Sequence, residues 1–462
     1  MLLLLSLWAC TTPSHEVDDP RPNIVVVVLD TTRADRLSAN GYGHQTTPYL
    51  EQMAAQGTRF SRAWSTSSWT LPSHASLFTG LTPDRHGADQ ETQQLALDAR
   101  TLAEVLGESG YQTFGVSNNP WVTESNGLSQ GFEVFNDVWA LPRQRLRRRL
   151  GFDPNVQSVR RWMRREMDDA RPFFVFINLI NPHLPYVPDA NHGEPFFASA
   201  DAFDEASRRH PSAVRLIAQH YRGAKPFPPA FFDQLGRLYD GEIRGMDALV
   251  EQMVEPLVDA RGPAETLVIV TSDHGEHLGE HGHVAHLFSL YEELVRIPML
   301  ARGPGFSAGT VQSNPASILD VHATVLAAAG LPSTESQGLD LRQPLPEDRI
   351  LRLSLAWPRQ SLDSLPVHVK ESEPFQKHIR SQRAAVGRGY KLLRVYGEPD
   401  QYFNLLADPG EQQILSTTYV PEDIAAALQA AVGVPAGPRE AVESAPIDAE
   451  REEQLRKLGY LE

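Results

Sequence analysis

The sequence predicts an α/β fold: a doubly wound, mostly parallel sheet followed by a small C-terminal α+β subdomain. Three observations lead there. Asn23-Ile24-Val25-Val26-Val27-Val28-Leu29 contains an unbroken, largely β-branched apolar run, which suits a strand buried on both faces of a parallel sheet. Similar runs recur at 111–117, 173–180 and 266–271, with helical patterns between them. Strands alternating with helices imply a sheet covered on both faces. Past about Gly338 the pattern changes to shorter runs at 350–355, 383–387 and 390–395, closed by helical stretches at 422–431 and 448–457. The division expected is a leader and spacer over 1–21, a catalytic domain over 22–340 and the subdomain over 341–462.

Taken in order, Met1 to Ala9 (MLLLLSLWA) is apolar and Cys10 follows. The run is far shorter than the roughly 20 residues of a membrane helix. It reads instead as an export signal, and Leu7-Trp8-Ala9-Cys10 resembles a bacterial lipoprotein signal with Cys10 as the lipidated residue. The expectation is an exported cell-envelope lipoprotein anchored through Cys10. A polar, proline-containing spacer leads to the first strand, which ends at Asp30. Thr47-Pro48 opens a helix to about Gln56, with proline at the first helical position. Further helical patterns cover 231–258 and 319–329. Asp30, Asn118, His183 and Asp273 all follow strands at the carboxyl edge, where open α/β sheets bind ligands.

Composition narrows the function. The 462 residues carry 58 acidic and 42 basic side chains, a formal net charge of −16. That excludes a nucleic-acid coat, which needs a basic surface. A single cysteine excludes an internal disulfide, a cysteine zinc cluster and an iron–sulfur site. Residues 143–165 nevertheless hold nine arginines; a solvated face is the bland explanation, and a basic face for anionic lipid or polymer the functional one.

The chemistry centres on Trp69-Thr70-Leu71-Pro72-Ser73-His74. Pro72 and the following apolar spacing predict a helix beginning just after Thr70. The free N–H groups and positive dipole end of a helix favour an alkoxide or a developing oxyanion. A threonine hydroxyl needs a base or a metal to act near neutral pH. Thr271-Ser272-Asp273-His274-Gly275-Glu276 supplies two metal-type side chains directly after a strand. Asp30, Asp273, His274 and the Thr70 oxygen would make the ligand set of one divalent metal ion. The mixed oxygen and nitrogen donors suit Mn²⁺ or Zn²⁺, with Ca²⁺ less favoured. His74 lies one helical turn from Thr70 and is expected to contact substrate. His277, His281, His283 and His286 crowd one loop and are expected to border a one-metal pocket, with a second metal site as the alternative. Asp240, Glu242 and Asp247 fall on a helix and are read as structural.

The segments PNIVVVVLDTTRAD, TLPSHASLFTG, NPHLPY, YDGEI, SDHGEHLGEHG and YEELVRIP occur in the order seen in the sulfatase family of the alkaline phosphatase superfamily, and YFNLLADPGE and LRKLGYL resemble its C-terminal part. The resemblance covers nearly the whole chain after the spacer. It implies an alkaline phosphatase/sulfatase-type fold, a divalent metal, and hydrolysis or transfer at an anionic sulfate or phosphate ester. It also implies that His183 or His286 donates a proton and that Asn118 binds substrate.

The departures from the family pattern are informative. Thr70 and His74 stand where a sulfatase has its formylglycine precursor and arginine. Asp30 is followed by Thr31 instead of a second aspartate. His274 replaces an asparagine, and Asn118 and His286 stand where lysines are usual. Threonine cannot become formylglycine, so its covalent ester must be cleaved by attack at the central atom, which favours phosphorus over sulfur. Fewer cations around the anion suit a phosphodiester or phosphonate monoester. The set looks like that of threonine-dependent phosphodiesterases, phosphonate hydrolases and lipoteichoic-acid-type synthases. The rival readings are a sulfuric ester hydrolase, an envelope phosphoryl-group transferase and an inactive anion-binding protein. The organic half of the substrate and the oligomeric state stay open.

Overall fold

The computed structural model describes residues 21–139, 153–221, 227–286, 288–333, 335–357, 367–435 and 437. The leader with Cys10, the first part of the arginine-rich stretch and the helical pattern at 448–457 lie outside the described residues.

An eight-stranded sheet forms the centre. In chain order its strands are β1 (Asn23–Leu29), β2 (Thr58–Phe60), β3 (Gln112–Ser117), β4 (Val134–Asp137), β5 (Phe173–Leu179), β6 (Thr266–Ser272), β7 (Met299–Arg302) and β8 (Thr310–Gln312). Their spatial order is β8-β2-β7-β6-β1-β5-β3-β4. The run from β6 to β4 is parallel throughout, and β7 is antiparallel to both its neighbours. Every residue of β1, β5 and β6 is buried, as the β-branched runs require for strands covered on both faces. The predicted strand bounds hold within a residue. The short strands β2, β4, β7 and β8 carry no such pattern, and their place comes from pairing with longer neighbours.

Helices α1 (Pro48–Gln56), α2 (Thr70–Thr79), α3 (Pro154–Arg165), α4 (Pro229–Arg261) and α5 (Leu319–Ala328) accompany the sheet. In α3 the Asp153 carboxylate caps the first turn through the Asn155 N–H, while Trp162 stacks on Phe114 at 4.9 Å. Asp240, Glu242 and Asp247 on α4 are structural, as expected. Asp240 accepts from Tyr42, Glu242 from the Val187 amide, and Asp247 from the Tyr49 and Leu50 amides that open α1.

The C-terminal subdomain is a four-stranded antiparallel sheet in sequence order, β9 (Leu351–Leu355), β10 (Gln382–Gly387), β11 (Tyr390–Val395) and β12 (Gln401–Asn404), followed by α6 (Glu422–Val432). One face packs on α6 through Leu392 and Leu428, and the other on Trp64, Leu290 and Leu294 of the larger domain. Within that second interface Lys391, fully buried, holds Glu411 at 2.9 Å and Glu292 at 3.2 Å.

Candidate active site

The carboxyl edge of the parallel strands gathers the predicted residues. Asp30 directly follows β1 and Asp273 directly follows β6. Because β1 and β6 are adjacent and parallel in register, with Leu29 opposite Ser272, the two aspartates arrive side by side. The fold locks this with backbone bonds: the Thr31 and His274 N–H groups both donate to Asp273 Oδ1, at 3.2 and 2.9 Å. Gly275 allows the tight approach of the short helix Glu292–Val295, since a Cβ there would meet the Glu293 carbonyl oxygen at 2.0 Å.

Asp30, Asp273 and His274 bring ligand-type atoms within 4.8 Å of one another. All three are fully buried. Asp30 Oδ1 and Asp273 Oδ2 accept no hydrogen bond. His274 Nδ1 donates to the Gly275 carbonyl at 3.0 Å, which turns Nε2 toward Asp273 Oδ2 and toward the Thr70 hydroxyl, each 3.3 Å away. Burial, then the neighbouring Asp273, pushes the Asp30 carboxyl well above its usual range. Burial pushes Asp273 up to about 6 and His274 down to about 3. Two orphaned carboxylate oxygens, an imidazole nitrogen with its other nitrogen tied to a carbonyl, and a hydroxyl form a donor set that fits one divalent cation.

Thr70 is the first residue of α2, with extended Trp69 as its cap. Its hydroxyl is not used as a helix cap; it points to His274. Thr31 is also at this edge, in the left-handed region at φ 49°. That conformation is costly for a β-branched residue, and its hydroxyl is buried without a hydrogen-bond partner. In the sequence Thr31 stands out only as a departure from a paired aspartate; its position makes it a further candidate donor.

Two expected substrate contacts fall elsewhere. His74 is fully buried behind Thr70, where Nδ1 meets the Thr70 carbonyl at 2.9 Å and Nε2 the Asn178 amide at 3.3 Å. With both nitrogens committed inside the fold, it supports the Thr70 turn and stands 3.6 Å from Asp273 Oδ2. Asn118 accepts the Ile180 amide at 2.6 Å. The next residue, Asn119, reaches the site instead and donates to Asp30 Oδ2. Spacing alone cannot separate two adjacent asparagines after a strand.

His183 and His286 do converge, with ring centroids 5.0 Å apart, and His286 lies 4.6 Å from His274. Burial holds each near 3, so both are neutral imidazoles. His183 Nδ1 donates to the Leu184 carbonyl at 2.7 Å. His286 Nδ1 meets Glu276 Oε1 at 3.0 Å, leaving Nε2 buried without a partner. Glu276, pushed up to about 7 by burial, was missed as a functional candidate. Its signal was present: a glutamate two residues beyond His274 on a segment with no polar exposure. His277 and His283 stack on each other, 5.2 Å apart. Among the described residues the Asp30, Asp273 and His274 group is the cluster with metal-ligand spacing.

Known proteins resemble this chain in sequence and in fold. The family model described as Sulfatase matches residues 22–331. Arylsulfatase K of Canis lupus familiaris is 27% identical over 438 residues, covering 86% of this chain and 79% of that protein. The uncharacterized sulfatase YidJ of Escherichia coli (strain K12) is 23% identical over 431 residues, covering 86% and 83%. A solved protein in complex with its substrate D-glucosamine-2-N,6-O-disulfate superposes with a TM-score of 0.68 at 18% identity, covering 89% of this chain and 96% of the other. The phosphonate monoester hydrolase of Agrobacterium radiobacter gives a TM-score of 0.63 at 18% identity, covering 88% and 93%.

Proposed function

The chain belongs to the sulfatase family, a family of hydrolases in the alkaline phosphatase superfamily, and from that premise we propose that it cleaves a phosphate diester or phosphonate monoester with Thr70 as its nucleophile. The observation that carries this reading is the Thr70 hydroxyl at the N-terminus of α2, 3.3 Å from His274 Nε2 and beside two orphaned aspartate oxygens. Asp30, Asp273, His274 and Thr70 would hold one divalent ion, Mn²⁺ or Zn²⁺ before Ca²⁺, and when bound it would lower the hydroxyl pKa and offset charge on the transferring group.

Thr70 Oγ1 attacks phosphorus in line. The Oγ1–P bond forms as the P–O bond to the alcohol breaks; the Thr70 hydroxyl proton passes to the neutral imidazole of His183 or His286, which hands it to the departing alcohol oxygen. Water then attacks phosphorus as the P–Oγ1 bond breaks, and one water proton returns through the same imidazole to Thr70 Oγ1. The first N–H groups of α2 face the transferring group and stabilise its charge. Glu276 fixes which nitrogen of His286 carries the proton and which faces the pocket.

Phosphorus is favoured because a threonine ester has no aldehyde to revert to. The sulfate reading stays in play because relatives bear sulfatase names, among them the N-acetylglucosamine-6-O-sulfatase of Bacteroides thetaiotaomicron, 22% identical over 484 residues. Matched 4-nitrophenyl phosphate, phenylphosphonate, bis-phosphodiester and sulfate substrates decide. Wild type and Thr70→Ala are compared after chelation and return of Mn²⁺, Zn²⁺ or Ca²⁺. Metal-dependent turnover of the diester or phosphonate, lost in Thr70→Ala, supports the proposal. Turnover of sulfate alone sinks the preference for phosphorus. Transfer to an added polyol in place of water would favour the transferase.

We also infer export and lipidation at Cys10, on the apolar run that precedes it. Labelling with a fatty-acid analogue in a bacterial host, lost in Cys10→Ser, is the test.

A further inference from the structure

The described part of the arginine-rich stretch, α3, plays no part in the site. Burial of Val156, Val159 and Trp162 against the sheet leaves Arg161, Arg164 and Arg165 exposed and Arg160 half-buried. Some exposed arginines elsewhere are matched, such as Arg100 with Glu108 and Arg209 with Glu205; Arg85, Arg215 and Arg352 are exposed singly, whereas α3 gathers three on one helix. No carboxylate among the described residues comes within ion-pair distance of the four on α3. At this edge Glu133 and Asp169 are already taken by Arg171 and Arg261. Glu166 and Asp168, just past the helix, reduce the positive charge of this face without reversing it.

The location gives the unpaired charge a use. Asp168, just beyond α3, exchanges hydrogen bonds with the Gln112 side chain. Arg171 donates to the Tyr111 carbonyl, and Tyr111 Oη donates to the Pro22 carbonyl. The basic end of α3 and the point where the spacer enters β1 therefore share the amino edge of the parallel strands. The pocket lies at the opposite edge, roughly 20 Å away along a seven-residue strand. The eleven residue-to-residue steps from Cys10 to Arg21 reach at most about 40 Å.

We propose that the arginine face of α3 docks on an anionic lipid bilayer beside the N-terminal segment, with the pocket turned away from that bilayer. Guanidinium groups make charge-assisted, bidentate bonds to lipid phosphates, and each basic residue near an anionic surface strengthens binding about fivefold. The apolar leader favours a bilayer over a soluble polyanion as the partner. The inference does not depend on which ester is cleaved.

The test measures partition of the full chain onto phosphatidylcholine vesicles with and without phosphatidylglycerol, and reads the ratio of the two coefficients. The leader, identical in every variant, cancels from that ratio. Wild type should give a ratio well above one that falls with salt. R161Q/R164Q/R165Q should lower it by roughly a hundredfold at about fivefold per charge, with ester hydrolysis unchanged. Q157K, which adds a charge on the same helix face, should raise it about fivefold and keeps the test decisive if the triple variant fails to fold. Equal ratios across the three proteins overturn the proposal. Loss of heparin retention with an unchanged vesicle ratio also overturns it, in favour of a polymer partner.

Discussion

Two buried clusters of carboxylates show opposite solutions to the same electrostatic problem. Under the C-terminal sheet, Glu292 and Glu411 flank Lys391, whose ammonium lies within 3.2 Å of both. At the carboxyl edge of the large sheet, Asp30 and Asp273 are equally buried, and among the described residues their ion-pair neighbours are only His74 and His274. Both imidazoles are held toward neutrality by burial. An isolated buried carboxylate is costly unless paired. The chain carries its own cation where the need is structural and leaves the charge open where the donors converge on Thr70. The difference teaches that the second cluster is built to take its cation from outside.

The largest expected effect breaks the open cluster. Thr70→Ala should lower metal-dependent turnover of the favoured ester at least about a thousandfold, while thermal unfolding stays close to wild type; kcat with saturating substrate is the readout. Lys391→Met attacks the closed cluster. Removing one partner of a buried ion pair costs about 3–5 kcal/mol, so urea unfolding should show a large loss that added metal does not repair. Chelation separates the two clusters further. At a hundredfold excess over its Kd the metal should add about 2.7 kcal/mol of stability, and Asp273→Asn should abolish that gain while making the metal-free protein no less stable. Calorimetry of the stripped and loaded forms measures both. A smaller effect sharpens the proton path: Glu276→Gln should reduce kcat about 10–100-fold with little change in KM.

The smallest effect tests burial without charge. His86 and His322 are held at about 4 by burial. His86 Nδ1 accepts the Ala88 amide at 3.1 Å, which needs the neutral ring. Because the folded values lie below the unfolded 6.5, their contribution to stability is fully present above pH 6.5 and is lost as pH falls toward 4. Each should remove about 1.4 kcal/mol per pH unit in that window. Unfolding of wild type and His86→Gln at pH 7 and pH 5 should show a shallower acid loss in the variant.

Much of the site was legible because local pattern and site position coincide in this fold. A β-branched run marks a central strand, and the residue after it must emerge at the carboxyl edge. Asp30 and Asp273 were located by that rule, and the proline-led helix after Trp69 located Thr70. The failures have equally local causes. His74 sits one turn from Thr70, but the helix turns it inward onto Asn178, and spacing carries no sign for inward or outward. Asn118 and Asn119 differ only in how the chain leaves β3. Glu276 looked like one more acid in a histidine-rich loop until His286, ten residues later, folded back onto it.

The sequence by itself determined the α/β class, the strand ends that carry the donors, the family, and the lack of any cysteine for formylglycine near Thr70. These are properties of runs and neighbours along the chain. Only the tertiary structure decided which buried carboxylates share a cation of their own and which stand open. It also decided that Asn119 touches Asp30, that Glu276 meets His286, and that α3 ends at the amino edge of the strands. Those outcomes depend on residues brought together across up to 243 positions, as when Ser272 Oγ bonds the Leu29 carbonyl. Distance in sequence carries no information about such pairs until parallel strands fix their register.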